Sequence, residues 1–171
     1  RLFRQYPFGA YASHLLGYIG RVNDRDIEKI EEREAEDNYR GTEHFGKTGL
    51  EQKYECELHG QTGFEQVAVE AGGRAVRVLE RTPPLPGNNL LLTLDARLQQ
   101  VVEKAFGKRR GALVAIEPST GGILALVSMP GYDPNLFVDG IGSQDWEALN
   151  TSEDKPMVNR ALNGAYPPGS T

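Results

Sequence analysis

Residues 111–130 read GALVAIEPSTGGILALVSMP. Two unbroken apolar runs, 112–116 and 123–127, flank the turn formers Pro118, Ser119, Thr120, Gly121 and Gly122. Apolar runs of this length, rich in β-branched residues and bounded by Gly and Pro, read as strands rather than helices. The stretch therefore predicts a β-hairpin. Just before it, Leu98, Val101, Val102 and Ala105 recur at helical spacing, with Asp95 placed to cap the helix and Gly107 to end it. The expected unit is a helix over 96–106 lying on a hairpin buried beneath it. LLLTL at 90–94 reads as a further strand.

Upstream, PPLPGNN (83–89) is the strongest punctuation in the chain and predicts a domain boundary near residue 86. Two β-rich runs between 64 and 82, joined through Ala71, Gly72 and Gly73, predict another hairpin. Leu50, Tyr54 and Leu58 fall at i, i+4 and i+8 and predict one amphipathic helix ending near Gly60. Asn23 or Asp24 is placed to cap a polar helix with Ile27 and Ile30 on one side. Residues 14–22 read as a short strand or buried segment. Downstream, a helix capped by Ser143 carries Trp146 and Leu149. Helices and strands mixed in this order make the class α+β.

The 171 residues suffice for one compact domain or two small ones. A net charge of -5 argues against a nucleic-acid footprint, so no nucleic-acid partner is expected. Acidity concentrates over 24–37, the stretch of the polar helix, which reads as a solvated face. The single cysteine, Cys56, leaves no internal disulfide and reads as a partly buried free thiol. No apolar run approaches the roughly 18 residues of a membrane span. The chain opens at Arg1 with no initiator Met and no signal peptide, as a piece of a longer protein would.

One motif invites a nucleotide. GTEHFGKT (41–48) fits the phosphate-loop pattern G-x-x-x-x-G-K-[ST]. Such a loop needs a buried strand leading into it, and REAEDNYR cannot supply one. Glu43 would also place a carboxylate among the phosphates. The expected role of Gly46 and Gly49 is instead to turn the backbone into the helix that follows. Cys56, His59 and His44 are three scattered donors without a fourth, so no metal site is expected.

The chain closes on NRALNGAYPPGST. Pro167 and Pro168 enforce an extended approach, and Gly169 allows a tight turn. Ser170 would then stand at or near a helix N-terminus, where free N–H groups stabilise a developing oxyanion. A lysine three residues after it would stack beside the hydroxyl and could act as base.

GYIGRVND, GKTGLEQKYECELHGQTG, RTPPLPGNNLLLTLDARLQQ, GALVAIEPSTGGILALVSMPGYDPNLF and NRALNGAYPPGST together resemble consecutive blocks of the class B penicillin-binding proteins. VDGIGSQDWEALN (138–150) is similar to the branch devoted to cell elongation. The resemblance implies a non-catalytic pedestal of the dimerisation type over 1–86, followed by the opening of a penicillin-binding transpeptidase domain over 87–171. It implies that Ser170 is the acylated serine of a peptidoglycan D,D-transpeptidase. Its substrates would be stem peptides ending in D-Ala–D-Ala, its inhibitors beta-lactams, and it would use no cofactor and no metal. The family's pedestal implies docking to a SEDS-type glycan polymerase and to MreC. The family also implies a single-pass inner-membrane anchor outside these residues, with this region in the periplasm. The base lysine and the S-x-N and K-T-G motifs follow the serine in this family, so residues 1–171 alone are expected to be inactive. Lys47 to Gly49 spells K-T-G far upstream of Ser170, and Lys47 is not that lysine. An alternative reading makes these residues a docking module for cell-wall partners.

Overall fold

The computed structural model describes residues 4–70, 72–73 and 75–165. In chain order these form α1 (Ser13–Leu16), β1 (Ile19–Arg21), α2 (Asp24–Glu31), α3 (Glu36–Tyr39), β2 (His44–Gly46), α4 (Gly49–Lys53) and α5 (Glu55–His59). There follow β3 (Phe64–Val69), β4 (Ala75–Thr82), α6 (Ala96–Phe106), β5 (Gly111–Ile116) and β6 (Ile123–Met129). A 3-10 turn (Pro134–Phe137), α7 (Ser143–Thr151) and α8 (Arg160–Asn163) complete the order. The class is α+β, as the sequence indicates. The chain divides into two compact units, and the first is assembled from three separate stretches: Arg1–Arg21, His44–Lys53 and Leu91–Thr171. The second comprises Val22–Glu43 and Tyr54–Leu90.

In the second unit, α2 opens on a capping box. Asn23 accepts from the Asp26 N–H, and the Asp26 carboxylate accepts from the Asn23 N–H. Ile30 on its inner side is buried, while Ile27 is largely exposed. β3 and β4 pair antiparallel, as expected, with irregularities at Gln66/Val67 and Ala68/Val69.

In the first unit, β1 pairs antiparallel with β2, Gly20 facing Phe45, and Phe45 is buried. β5 pairs with β6, Val114 facing Leu126. The hairpin predicted from 111–130 is present, but its burial is one-sided. Residues 125–128 of β6 are buried, whereas Leu113, Val114 and Ile116 of β5 are exposed. Residues 90–94 join no ladder. They lie beside β6 through two bonds, from the Asp95 N–H to the Leu124 carbonyl and from the Thr93 hydroxyl to the Ile123 carbonyl.

In both predicted amphipathic helices the buried positions are polar. In α6, capped by Asp95 as predicted, Gln99 is only 2% exposed and Glu103 is buried, while Val101 is 63% exposed. The single helix expected from Gly49 to Gly60 breaks at Tyr54 (φ -110°) into α4 and α5, and its buried residues are Glu51 and Glu55. Apolar periodicity misses these faces because the partners are polar. Glu51 accepts from the Tyr6 hydroxyl and from Arg4 within the first unit, and Glu55 from the Tyr39 hydroxyl within the second. Two smaller differences concern helix entries. Gly142 rather than Ser143 caps α7. Gly49 takes the left-handed conformation expected of it (φ +61°), but Gly46 sits in β2, where a Cβ would fall 2.1 Å from the Glu51 carbonyl. Close approach, not turning, fixes that glycine.

Gln99 generates a prediction. Its amide accepts from the Leu126 N–H and donates to the Leu126 carbonyl, both at 2.9 Å. Gln99→Leu leaves two buried backbone groups unpaired, at roughly 1–3 kcal/mol each, for an expected loss of about 2–6 kcal/mol. Val101→Ala, at an exposed site, is expected to change stability by less than about 0.5 kcal/mol. Urea unfolding of the two variants tests the contrast.

Candidate functional site

Ser170, with the Pro167-Pro168-Gly169 approach, lies outside the described residues, as does the helix N-terminus expected there. What the structure describes is how the chain is held as far as residue 165.

The YDPNLF block (132–137) forms a polar and aromatic clasp. The Asp133 carboxylate accepts from the Asn135 N–H and side-chain amide, which fixes that amide. Asn135 then pairs with both backbone groups of Tyr6: its Oδ1 accepts from the Tyr6 N–H and its Nδ2 donates to the Tyr6 carbonyl, each at 2.9 Å. Tyr18 stacks on Phe137 with ring centres 4.0 Å apart, and Tyr132 meets both His14 and Phe137 edge-on. Burial pushes the Tyr132 hydroxyl up to about 12. Ser13 and His14 adjoin in sequence but form no nucleophile–base pair. The Ser13 hydroxyl accepts from the Tyr132 N–H, and the imidazole Nε2 donates to the Pro156 carbonyl at 2.8 Å.

That last bond reaches the segment leading to α8. Asn159 caps the helix, accepting from the Ala161 and Leu162 N–H groups. Its amide also donates to the His14 carbonyl. The Arg160 guanidinium donates to the carbonyls of Asp154, Lys155 and Val158. The Ser128 hydroxyl donates to the Val158 carbonyl at 3.1 Å and accepts from the Arg160 N–H at 2.9 Å. Sequence reasoning missed His14, Ser128 and Asn159. Two of the three leave a mark in it: Ser128 is the one hydroxyl in the apolar run ILALVSM, and Asn159 stands where a cap precedes RALN.

An open cavity of about 520 Å³ borders this segment, with His14, Thr48, Gln52, Tyr132, Asn159 and Asn163 in its wall. Its lining offers hydrogen bonds but no charged side chain. Burial holds the His14 imidazole below its ordinary value of 6.5, opposed by the Pro156 carbonyl it bonds.

The other sequence candidates are occupied differently. His44, Phe45 and Gly46 of the phosphate-loop match are strand β2, and the Lys47 N–H donates to the Tyr18 carbonyl, so this stretch is no loop of converging N–H groups. Cys56 is exposed, not partly buried, and its Sγ accepts from Arg33 at 3.2 Å. His59 stacks on Tyr39 with ring centres 4.1 Å apart, its Nε2 3.2 Å from the Asn38 carbonyl. Among the described residues no three His, Cys, Asp or Glu side chains are grouped to hold a metal ion.

Comparison with known proteins gives two family matches. Residues 1–92 match the penicillin-binding protein dimerisation domain, and residues 111–171 the penicillin-binding protein transpeptidase domain. The peptidoglycan D,D-transpeptidase MrdA of Escherichia coli K12 is 49% identical over 168 residues, covering 98% of this chain and 26% of that protein. The chain thus spans about a quarter of the length of this curated relative. Among solved structures, Pseudomonas aeruginosa PBP2 in complex with WCK 5153 superposes with a TM-score of 0.84 at 46% identity, over 100% of this chain and 33% of that one. Helicobacter pylori PBP2 in its complex with MreC gives 0.78 at 35% identity, over 92% of this chain and 28% of that one.

His14 carries a pH prediction. Its folded-state pKa is depressed, so the neutral ring is the stabilised form. That contribution is complete above the unfolded value of 6.5 and is lost as pH falls through the lower folded value. Between about pH 7.5 and about pH 5 the urea midpoint is therefore expected to fall further for the natural sequence than for His14→Gln, which keeps an N–H donor but does not titrate. Equal falls would refute this.

Proposed function

We propose that this chain, which belongs to the penicillin-binding proteins, serves a peptidoglycan D,D-transpeptidase of cell elongation with Ser170 as its nucleophile. One observation carries the reading: identity of 49% to the peptidoglycan D,D-transpeptidase MrdA across 98% of the chain. The transpeptidase-domain match, running over residues 111–171, includes Ser170 and supports its assignment. The division follows the sequence reading, with a pedestal over 1–86 and the opening of the catalytic domain over 87–171.

In this reading the Ser170 Oγ attacks the carbonyl carbon of the penultimate D-Ala of a stem peptide. The peptide bond breaks, the terminal D-Ala leaves carrying the proton, and a serine ester remains. An amine of a neighbouring stem attacks the ester, forms the cross-link and returns the proton to Ser170. A beta-lactam opens on the same hydroxyl, but its amine stays tethered, so the ester persists. The base is the lysine that the family resemblance places three residues after Ser170. The work belongs in the periplasm, tethered to the inner membrane by an anchor outside these residues; no described helix is long and apolar enough to cross a membrane.

The β3–β4 hairpin favours a second role, compatible with the first. Phe64, Val69, Val78 and Leu79 are all about half exposed or more, a concentration of apolar surface that suits a protein partner. The solved complex of a relative with MreC makes an MreC-type scaffold the partner proposed here, with a SEDS-type polymerase a further one.

Two experiments test these assignments. A fluorescent penicillin is expected to label the full-length protein covalently and Ser170→Ala not at all; undiminished labelling of that variant would overturn the nucleophile. Val69→Asp together with Val78→Asp is expected to weaken capture of an MreC partner by about tenfold or more while leaving penicillin labelling intact. Unchanged capture would remove the hairpin from the docking surface.

A further inference from the structure

We propose that the cavity beside the C-terminal end of α6 binds a small zwitterionic amino acid, its ammonium on Glu103 and its carboxylate on Lys104. The inference is independent of Ser170 and of the cross-linking reaction.

Glu103 is a buried carboxylate without a counter-ion. The residue is 9% exposed, yet among the described residues no Lys, Arg or His pairs with it. Buried charges are ordinarily paired, because their desolvation is costly. Its two hydrogen bonds, from the Ala12 N–H at 2.8 Å and the Gln99 amide at 2.7 Å, both end on Oε1. Oε2 takes neither. Those two bonds oppose the rise that burial imposes on the carboxyl, and no cation adds to them.

Glu103 also stands in the wall of an open cavity of about 400 Å³, together with Ala10, Tyr11, Lys104, Gly107 and Met129. That volume falls among small-ligand sites, which run from roughly 300 to 1,000 Å³. The wall sets the chemistry of the occupant. Oε2 calls for a donor, and a cation suits it best, because α6 ends here at Gly107 and the partial negative charge of the helix end adds to the carboxylate. The second charge is Lys104, which is exposed and makes no ion pair among the described residues. Side chains at i and i+1 of a helix do not face each other, so Lys104 does not neutralise Glu103 but stands apart from it on the same wall. A bare amine meets Lys104 as repulsion. A ligand carrying an ammonium and a carboxylate satisfies both residues, and the flexible stem of Lys104 lets its charge follow the carboxylate. Ala10, Tyr11 and Met129 offer apolar wall to the ligand's side chain.

Saturation-transfer NMR on the full-length protein tests this with norleucine, pentylamine (the same skeleton without the carboxylate) and hexanoate (without the ammonium). Norleucine is expected to bind saturably, pentylamine about tenfold more weakly, and hexanoate most weakly of the three. Glu103→Gln keeps Oε1 for the Ala12 and Gln99 donors and puts an amide NH2 in place of Oε2. It is expected to weaken norleucine by about tenfold or more, as the loss of a charged hydrogen bond should. Lys104→Gln is expected to weaken norleucine to the level of pentylamine and to leave pentylamine no weaker than before. Should Glu103→Gln fail to fold, Lys104→Gln decides, and unchanged norleucine binding in it overturns the proposal. So does an unchanged affinity in folded Glu103→Gln. Absence of saturable norleucine binding, or hexanoate or pentylamine binding as tightly as norleucine, overturns it as well.

Discussion

The first unit depends on a two-point contact between Gln99 and the backbone of Leu126. Leu126 faces Val114 across the hairpin, yet its own N–H and carbonyl both bond to the Gln99 amide. The amide thus supplies on that edge what a neighbouring strand would supply, a donor and an acceptor at strand spacing. A helix carrying only apolar residues here would leave these groups buried without partners, at a cost comparable to whole side chains of hydrophobic burial. Gln99 also donates to Glu103, which accepts from the Ala12 N–H as well, so one polar chain links β6, α6 and the entry to α1. Burial raises the Glu103 carboxyl above its ordinary value, and the two donors counter only part of that. Full ionisation of this group works against the fold, so its contribution weakens as pH rises from the unfolded value through the raised folded one.

The same device recurs wherever distant stretches of the first unit must meet. Asn135 does for Tyr6 what Gln99 does for Leu126, across a sequence separation of 129 residues. The Tyr6 hydroxyl passes the tie onward, accepting from the Ile19 N–H and donating to Glu51, whose carboxylate also holds Arg4. Nonlocal contacts of this kind are entropically expensive to close, and directional polar bonds specify one register where apolar packing would tolerate several. In the second unit Tyr39 plays the corresponding part, its hydroxyl on Glu55 and its ring against His59.

This explains how much could be read from the sequence. Local signals were legible: the turn at 118–122, the Asp95 cap, the hairpin through Gly72 and Gly73, and the start of α2, with its cap narrowed to Asn23 or Asp24. Each depends on residues within a few positions of one another. The inner faces of α4, α5 and α6 were not legible, because apolar periodicity ranks Leu50, Val101 and Ala105 above Glu51, Gln99 and Glu103. A buried polar residue is favourable only in company, and its long-range company here stands 16 to 91 positions away. The phosphate-loop match failed for the complementary reason. Its letters sit in strand β2, where pairing with β1 and the closeness of Gly46 to Glu51 account for the pattern. Ser170 was singled out by chemistry and resemblance alone.

What holds the segment at 156–160 is almost wholly uncharged. Ser128, Asn159 and a neutral His14 make the bonds, and the Arg160 guanidinium donates to three carbonyls of its own neighbourhood. Ion pairs at partly exposed sites weaken as salt screens them, whereas buried neutral hydrogen bonds do not. The bonds at 156–160 therefore depend little on ionic strength.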